Sequence, residues 1–259
     1  MNGVVSELTV LIGTRNRLSV LKRCLDSLVG RTATRVDIIV IDAGSTDGTI
    51  DFVKSLPGVR LVCDGVPIGQ AQSLNRVLRS LRTRYVCWIS DDNVMQPGAI
   101  DEAVDILRTH SEIGMVSLKV KDVSGGREDK AYIGGLRASR ILTCNQGMLP
   151  LELFAKLGFF DEEYRDYGID VDLTARVLLE GKQVVFTKRV AIHHYRDHHE
   201  FPGAIENTQR AARIRRSYEL FSAKHGYLEV FSLAARIDRL FWSFAKKVVF
   251  QLQALFCRG

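Results

Sequence analysis

The sequence predicts an α/β fold, a mainly parallel sheet flanked by helices with a further helical extension on its C-terminal side. Three observations carry the prediction. Short, mainly apolar runs alternate with stretches of helical spacing along the first half of the chain. Runs of that kind, with no polar alternation, mark strands buried on both faces, as in a parallel sheet. Two of them end in carboxylates, Asp42 and the pair Asp91-Asp92, at the strand ends where open α/β sheets hold ligands.

Residues 8–12 form the first strand and lead through GTRNR into a helix with Val20, Leu21, Cys24, Leu25 and Leu28 on one face. Residues 36–41 form the second strand, closed by Asp42-Ala43-Gly44-Ser45, and a helix follows over 48–56. A third strand covers 59–63. The helix over 69–81 then aligns Leu74, Val77, Leu78 and Leu81, and a fourth strand over 85–89 ends at Ser90-Asp91-Asp92-Asn93. Pro97 suits the first turn of the next helix, which runs to about residue 107. The second half is less regular. Strand-like pieces at 115–120 and 131–133 precede a helix near 150–157 and another opening at Tyr167-Gly168-Ile169-Asp170-Val171-Asp172. β-branched runs at 184–186 and 190–192 lead to His193-His194, and helical stretches near 204–224 and 228–256 follow.

Composition bounds the function classes. The chain has 259 residues, 46% hydrophobic and 25% charged, which excludes wholesale disorder and a disulfide-stapled miniprotein. No stretch reaches the roughly 18 apolar residues of a membrane-spanning helix. The start, MNGVVSELTVLIG, lacks a basic segment ahead of an apolar one, so no secretory signal is expected. Cys24, Cys63, Cys87, Cys144 and Cys257 are scattered without CxxC spacing, which fits reduced thiols in a cytoplasmic protein. The net charge of +6 lies wholly in residues 203–259, with 10 basic and 4 acidic side chains, whereas residues 1–202 carry 26 of each. We therefore divide the chain into a neutral domain, 1–202, and a basic helical extension, 203–259.

The carboxylates carry the chemistry. Adjacent acids at a sheet mouth repel each other unless a cation is present, and hard divalent ions take one or two carboxylates plus substrate phosphates. Taken alone, Asp91 and Asp92 read slightly better as caps for the helix after Pro97. The second strand-end acid tips the reading toward a cation site. Asp42 is placed to accept a hydrogen bond from a ring N–H of uracil, thymine or guanine, and Gly44 permits close backbone approach.

Six segments, LTVLIGTRNRLSVLKRCLDSL, IIVIDAGSTDGT, IGQAQSLNRVLRS, WISDDNVMQPGAI, LGFFDEEY and YGIDVDLTARVLLEG, fall in the order of one family. Over residues 8–195 the chain resembles the family-two glycosyltransferases of the GT-A fold, whose sheet is Rossmann-like. The resemblance implies an inverting, metal-dependent transfer of a sugar from a nucleotide diphosphate to a hydroxyl acceptor, in bacterial surface polysaccharide or glycolipid assembly. UDP or dTDP is favoured over GDP. Thr14, Arg15, Asp42, Asn75 and Asp91 are implied on the nucleotide-sugar side. Asp92 and His194 are implied at the Mn2+ or Mg2+ ion, with His193 replacing His194 if the register slips by one. Asp170 is implied as the general base, and Asp172 is the acid two residues beyond. The chain departs from the family pattern at Gly13, Arg15, Ala43, Ser90 and Ile169.

Two other readings compete. A sugar nucleotidyltransferase would carry a GxGxR loop after the first strand, which is missing. A degenerate nucleotide-binding or scaffolding module would account for Ser90, Ala43 and Ile169. The implied partners are the nucleotide-sugar donor and a glycan or lipid-linked acceptor, without nucleic acid. In the 228–256 helix, Arg236, Arg239 and Lys246-Lys247 edge a wide apolar surface. It suits an anionic membrane at the inner face, a second copy of the chain, or the chain's own domain.

Overall fold

The computed structural model describes residues 6–123, 131–132, 144–195 and 204–225. In chain order, β1 (Leu8–Thr14), α1 (Leu18–Asp26), β2 (Val36–Asp42), α2 (Thr49–Ser55), β3 (Val59–Cys63), α3 (Gln70–Leu78) and β4 (Tyr85–Ser90) form the regular half. β5 (Asn93–Met95), α4 (Ala99–Thr109), β6 (Ile113–Ser117), β7 (Val120–Asp122) and β8 (Ala131–Tyr132) come next. Then follow β9 (Gly147–Pro150), α5 (Leu151–Lys156), a single 3-10 turn (Glu162–Tyr164), α6 (Ile169–Leu179), β10 (Gln183–Phe186), β11 (Ile192–His194) and α7 (Ala204–His225).

Seven strands make one sheet in the order β10-β6-β9-β4-β1-β2-β3, with β9 antiparallel to both neighbours and every other pairing parallel. The apolar runs of β4, β1 and β2 become its centre because both sides of them are enclosed, while β3 forms an edge. In β1, Leu8, Val10 and Ile12 face one core and Leu11 the other. The first core is closed by α1, α2 and α4, through Leu21, Val53 and Ile100 among others. The second is closed by α3, α5 and α6, with Phe221 of α7 at its edge. This is the GT-A arrangement.

Three details depart from the sequence reading. The run at 115–120 is two strands. β6 ends in the large sheet and β7 opens a small sheet, β5-β11-β7-β8. At the step between them, Gln146 O accepts from Leu118 N and Thr187 Oγ1 from Lys119 N. β9 lies where the sequence shows only the approach to a helix. Four residues from a glycine to a proline carry no strand pattern, and a side chain at Gly147 would run into Cys144 and the Val116 carbonyl. β5 is likewise hidden in a turn-like Asn93-Val94-Met95, and is drawn out by pairing with β11.

α7 packs on α6 through buried Ser217 and Phe221. Its last turn is tied down by His225 Nε2, 2.8 Å from Asp172 Oδ1, and by Lys224 against Asp161 and Glu163. The helix expected over 228–256 lies outside the described residues. Among the described residues, no helix is long and apolar enough to cross a membrane.

Candidate active site

Strand register builds the site. Thr14 pairs with Asp42 across β1 and β2, and Gly13 with Ser90 across β1 and β4. Three strands therefore release the chain at one rim. Asn16 joins two of the exits, donating its N–H to Ser45 Oγ and accepting at Oδ1 from Thr46 N.

Asp91 and Asp92 leave β4 into a web of donors. Arg17, one residue before α1, spans both carboxylates: Nη1 donates to Asp91 Oδ1 at 2.6 Å and Nη2 to Asp92 Oδ2 at 3.1 Å. Thr14 Oγ1 donates to Asp91 Oδ2 at 2.8 Å. His194 brings its Nε2 to 3.2 Å from Asp92 Oδ2, and Asn93 Nδ2 lies 3.2 Å from Asp92 Oδ1. Burial alone would push the Asp92 carboxyl up, but the hydrogen bond and charge of His194, with those of Arg17, hold it below its ordinary range. Burial would likewise lower the His194 ring, and Asp92 and Asp122 together raise it.

The small sheet exists to deliver that histidine. In β11, His194 stands opposite Asn93 of β5 and Asp122 of β7. Asp122, 2% exposed, accepts from His194 Nδ1 at 2.7 Å, which fixes the ring and directs Nε2 at Asp92. His193, one residue earlier, pairs in register with Lys121, and burial and that lysine lower its ring.

Asp42 is fully buried beside this cluster. Its Oδ1 accepts from Gly44 N at 2.9 Å and Ser45 N at 2.8 Å, while Oδ2 has no hydrogen-bond partner among the described residues. A buried acceptor left unmet is costly, on the order of 1–3 kcal/mol. Gly44, at φ +86°, lets this loop touch the chain after β3, since a side chain there would strike the Gly65 carbonyl.

A cleft of about 350 Å³ runs between these loops, lined among others by Thr14, Arg15, Arg17, Asp91, Asp92 and Asp166. A larger cavity of about 610 Å³ opens around Tyr85 and Pro150, at the amino end of β4. Position outweighs volume here, because sheets of this kind bind at their carboxyl ends.

Asp170 begins α6, four residues beyond the cleft-lining Asp166. It is not bonded to the Asp91-Asp92 web. Burial pushes its carboxyl up to about 6, offset in part by backbone N–H groups of Asp170 and Val171. Asp172 is turned to other work, bonded to Arg176 and His225. Asn75 is also fully occupied. Its amide donates to Phe160 O and Glu162 Oε1 and accepts from Phe160 N, which holds the segment after α5 against α3.

A family model described as glycosyl transferase family 2 matches residues 9–156, more than half of the chain. The chain belongs to glycosyl transferase family 2. Among relatives of this family-2 chain, an uncharacterized glycosyltransferase of Rickettsia prowazekii is 24% identical over 181 residues, 64% of the chain and 56% of the relative. The chain thus spans little more than half of that relative's length. An N-acetylglucosaminyl-diphospho-decaprenol L-rhamnosyltransferase of Mycobacterium tuberculosis is 25% identical over 249 residues, 79% of the chain and 80% of the relative. Two solved structures share the fold. The mannosyltransferase PcManGT of Pyrobaculum calidifontis, in complex with GDP-Man and Mn2+, superposes with TM-score 0.62 at 19% identity, over 86% of this chain and 65% of its own. S. aureus TarS 1–349, in complex with UDP-GlcNAc, gives TM-score 0.62 at 16% identity, over 74% and 59%.

Two residues of this candidate site escaped the sequence reading. Arg17 sits in GTRNR as one basic residue among several, and its partners lie 74 and 75 residues away. Asp122 does carry a signal, an acid closing a short strand-like piece, as Asp42 closes β2.

Proposed function

We propose that the chain is an inverting, metal-assisted glycosyltransferase that moves a sugar from a UDP- or dTDP-linked donor to a hydroxyl acceptor. The observation that carries this reading is the meeting of Asp92 and His194 at 3.2 Å, at the same sheet rim as the unmet buried oxygen of Asp42, with β1 between the strands that end there. In this reading Asp42 Oδ2 accepts the ring N–H of the base. Thr14, Arg15 and Asp91 lie along the nucleotide, and Asn75 holds the donor side indirectly, through the segment it anchors.

The residues fit a hard divalent ion. Among the described residues no three His, Cys, Asp or Glu side chains form a ready-made cage. Mn2+ and Mg2+ need only one or two protein ligands beside substrate phosphates. Asp92 would hold the ion with His194, and Asp122 behind the ring is the carboxylate that steadies such histidine ligands. The ion's contribution is neutralisation of charge on the departing diphosphate. Arg15 and Arg17 add positive charge to the same region. Asp170 takes the proton of the attacking hydroxyl. Its carboxyl near 6 leaves it ionised and still basic at neutral pH. A single displacement turns an α-linked donor into a β-linked product.

One relative supports the acceptor reading. The mycobacterial protein is named for action on an N-acetylglucosaminyl-diphospho-decaprenol, which supports a lipid-linked glycan acceptor here. The basic extension, 203–259, then keeps the transfer domain, 1–202, at an anionic membrane face. Thermal-shift measurement with UDP, dTDP and GDP, each with and without Mn2+, tests the donor reading. UDP or dTDP with Mn2+ should give the largest stabilisation. Indifference to all three nucleotides would refute it.

A further inference from the structure

We propose that Arg17 is the built-in counter-cation of the Asp91-Asp92 pair, and that the donor's diphosphate must draw it away before a divalent ion loads. The inference rests on the donor reading above and specifies the order in which that site fills.

The geometry has three parts. First, one guanidinium bridges two adjacent acids that would otherwise repel and offsets half of their charge, with Nη1 on Asp91 and Nη2 on Asp92. Second, both Asp92 oxygens already face donors, Oδ2 meeting Arg17 and His194 and Oδ1 meeting Asn93. An ion arriving alone must share this carboxylate with those donors and lie beside a guanidinium, where like charge opposes it in a partly buried site. Third, Arg17 is 20% exposed and lines the cleft with Arg15. A diphosphate entering that cleft offers the guanidinium fork a second bidentate acceptor, the kind of oxyanion that arginine pairs with best. Turning to the phosphates, Arg17 frees Asp92 Oδ2 just when phosphate oxygens arrive to complete the ion's shell. The account predicts weak metal binding by the nucleotide-free protein and tight binding once the nucleotide is present.

The experiment is Mn2+ binding to the full chain, followed by the loss of the free-ion electron paramagnetic resonance signal, with and without UDP. In the native protein UDP should tighten Mn2+ binding at least tenfold. Arg17→Met should tighten nucleotide-free Mn2+ binding at least tenfold and shrink the gain from UDP. Adding Asp92→Asn should abolish that gain of affinity. Arg17→Lys, a compact charge that cannot span both carboxylates, should fall between, and carries the test if Arg17→Met does not fold. A purely structural salt bridge would lower the melting temperature in both variants and leave nucleotide-free Mn2+ affinity unchanged, which would overturn the inference alone. Failure of UDP, dTDP and GDP alike to bind the native protein with Mn2+ would overturn the donor reading, and this inference with it.

Discussion

Asp122 stands directly opposite His194 in two parallel strands, its Oδ1 2.7 Å from the ring's Nδ1. Removing that carboxylate frees the ring to rotate and leaves Nε2 without a fixed aim. Loss of such supporting groups typically weakens metal binding by about 10–100-fold. We expect Asp122→Ala to weaken Mn2+ affinity of the UDP-bound protein within that range while His194→Ala weakens it further. Calorimetric titration of Mn2+ into each variant with UDP checks the order.

Asp170 makes a paired prediction about rate and stability. Its carboxyl titrates near 6 in the fold instead of 3.8. As pH rises through that window the unfolded chain loses its proton first, so ionisation inside the fold destabilises, fully above about pH 6 and not at all below 3.8. Asp170→Asn should therefore be about 1–2 kcal/mol more stable than the native chain at pH 7.5 and equal to it near pH 3.5, discounting for partial solvation. The same change should lower kcat by about 10²–10⁴-fold. The native acid limb should rise through an apparent pKa near 6. Chemical denaturation across pH and initial rates on the same preparations check both halves.

Asn75 should behave as a structural residue. Its amide makes three bonds to the Phe160 backbone and Glu162 in a buried setting. Asn75→Ala leaves the Phe160 carbonyl and N–H unpaired, at about 2–4 kcal/mol. We expect a large fall in melting temperature and, because the anchored segment backs the donor side, a raised donor KM with kcat per folded molecule nearly unchanged.

His225 should tie α7 to α6. Its ring meets buried Asp172 at 2.8 Å, while Arg176 meets the other oxygen of the same carboxylate. His225→Ala removes one partner of this buried carboxylate and should cost about 1–3 kcal/mol. Hydrogen exchange should then quicken across 204–225 before it quickens in α6.

These cases show what a sequence makes legible. β1, β2 and β4 are largely apolar runs because these inner parallel strands are covered on both sides, whereas the edge strand β3 exposes Arg60 and Cys63, and Asp42 and Asp91-Asp92 mark the ends of β2 and β4. Short strands such as β5 and β9 owe their form to their neighbours, and a four-residue segment from Gly147 to Pro150 has no period to read. The motif order pointed to Asp92 and His194 as residues of one site. It could not tell that Asn75 and Asp172 are committed to internal bonds, because their partners, Phe160 and His225, lie 85 and 53 residues away. Arg17 was invisible for the same reason.

Release of nucleoside diphosphate from a panel of UDP-, dTDP- and GDP-sugars, with Mn2+ present or chelated, tests the central claim most directly. The native chain should turn over one donor class only with the ion present, and both Asp92→Ala and Asp170→Ala should abolish that turnover while remaining folded. Equal release with and without Mn2+, or full activity in either variant, would contradict the account.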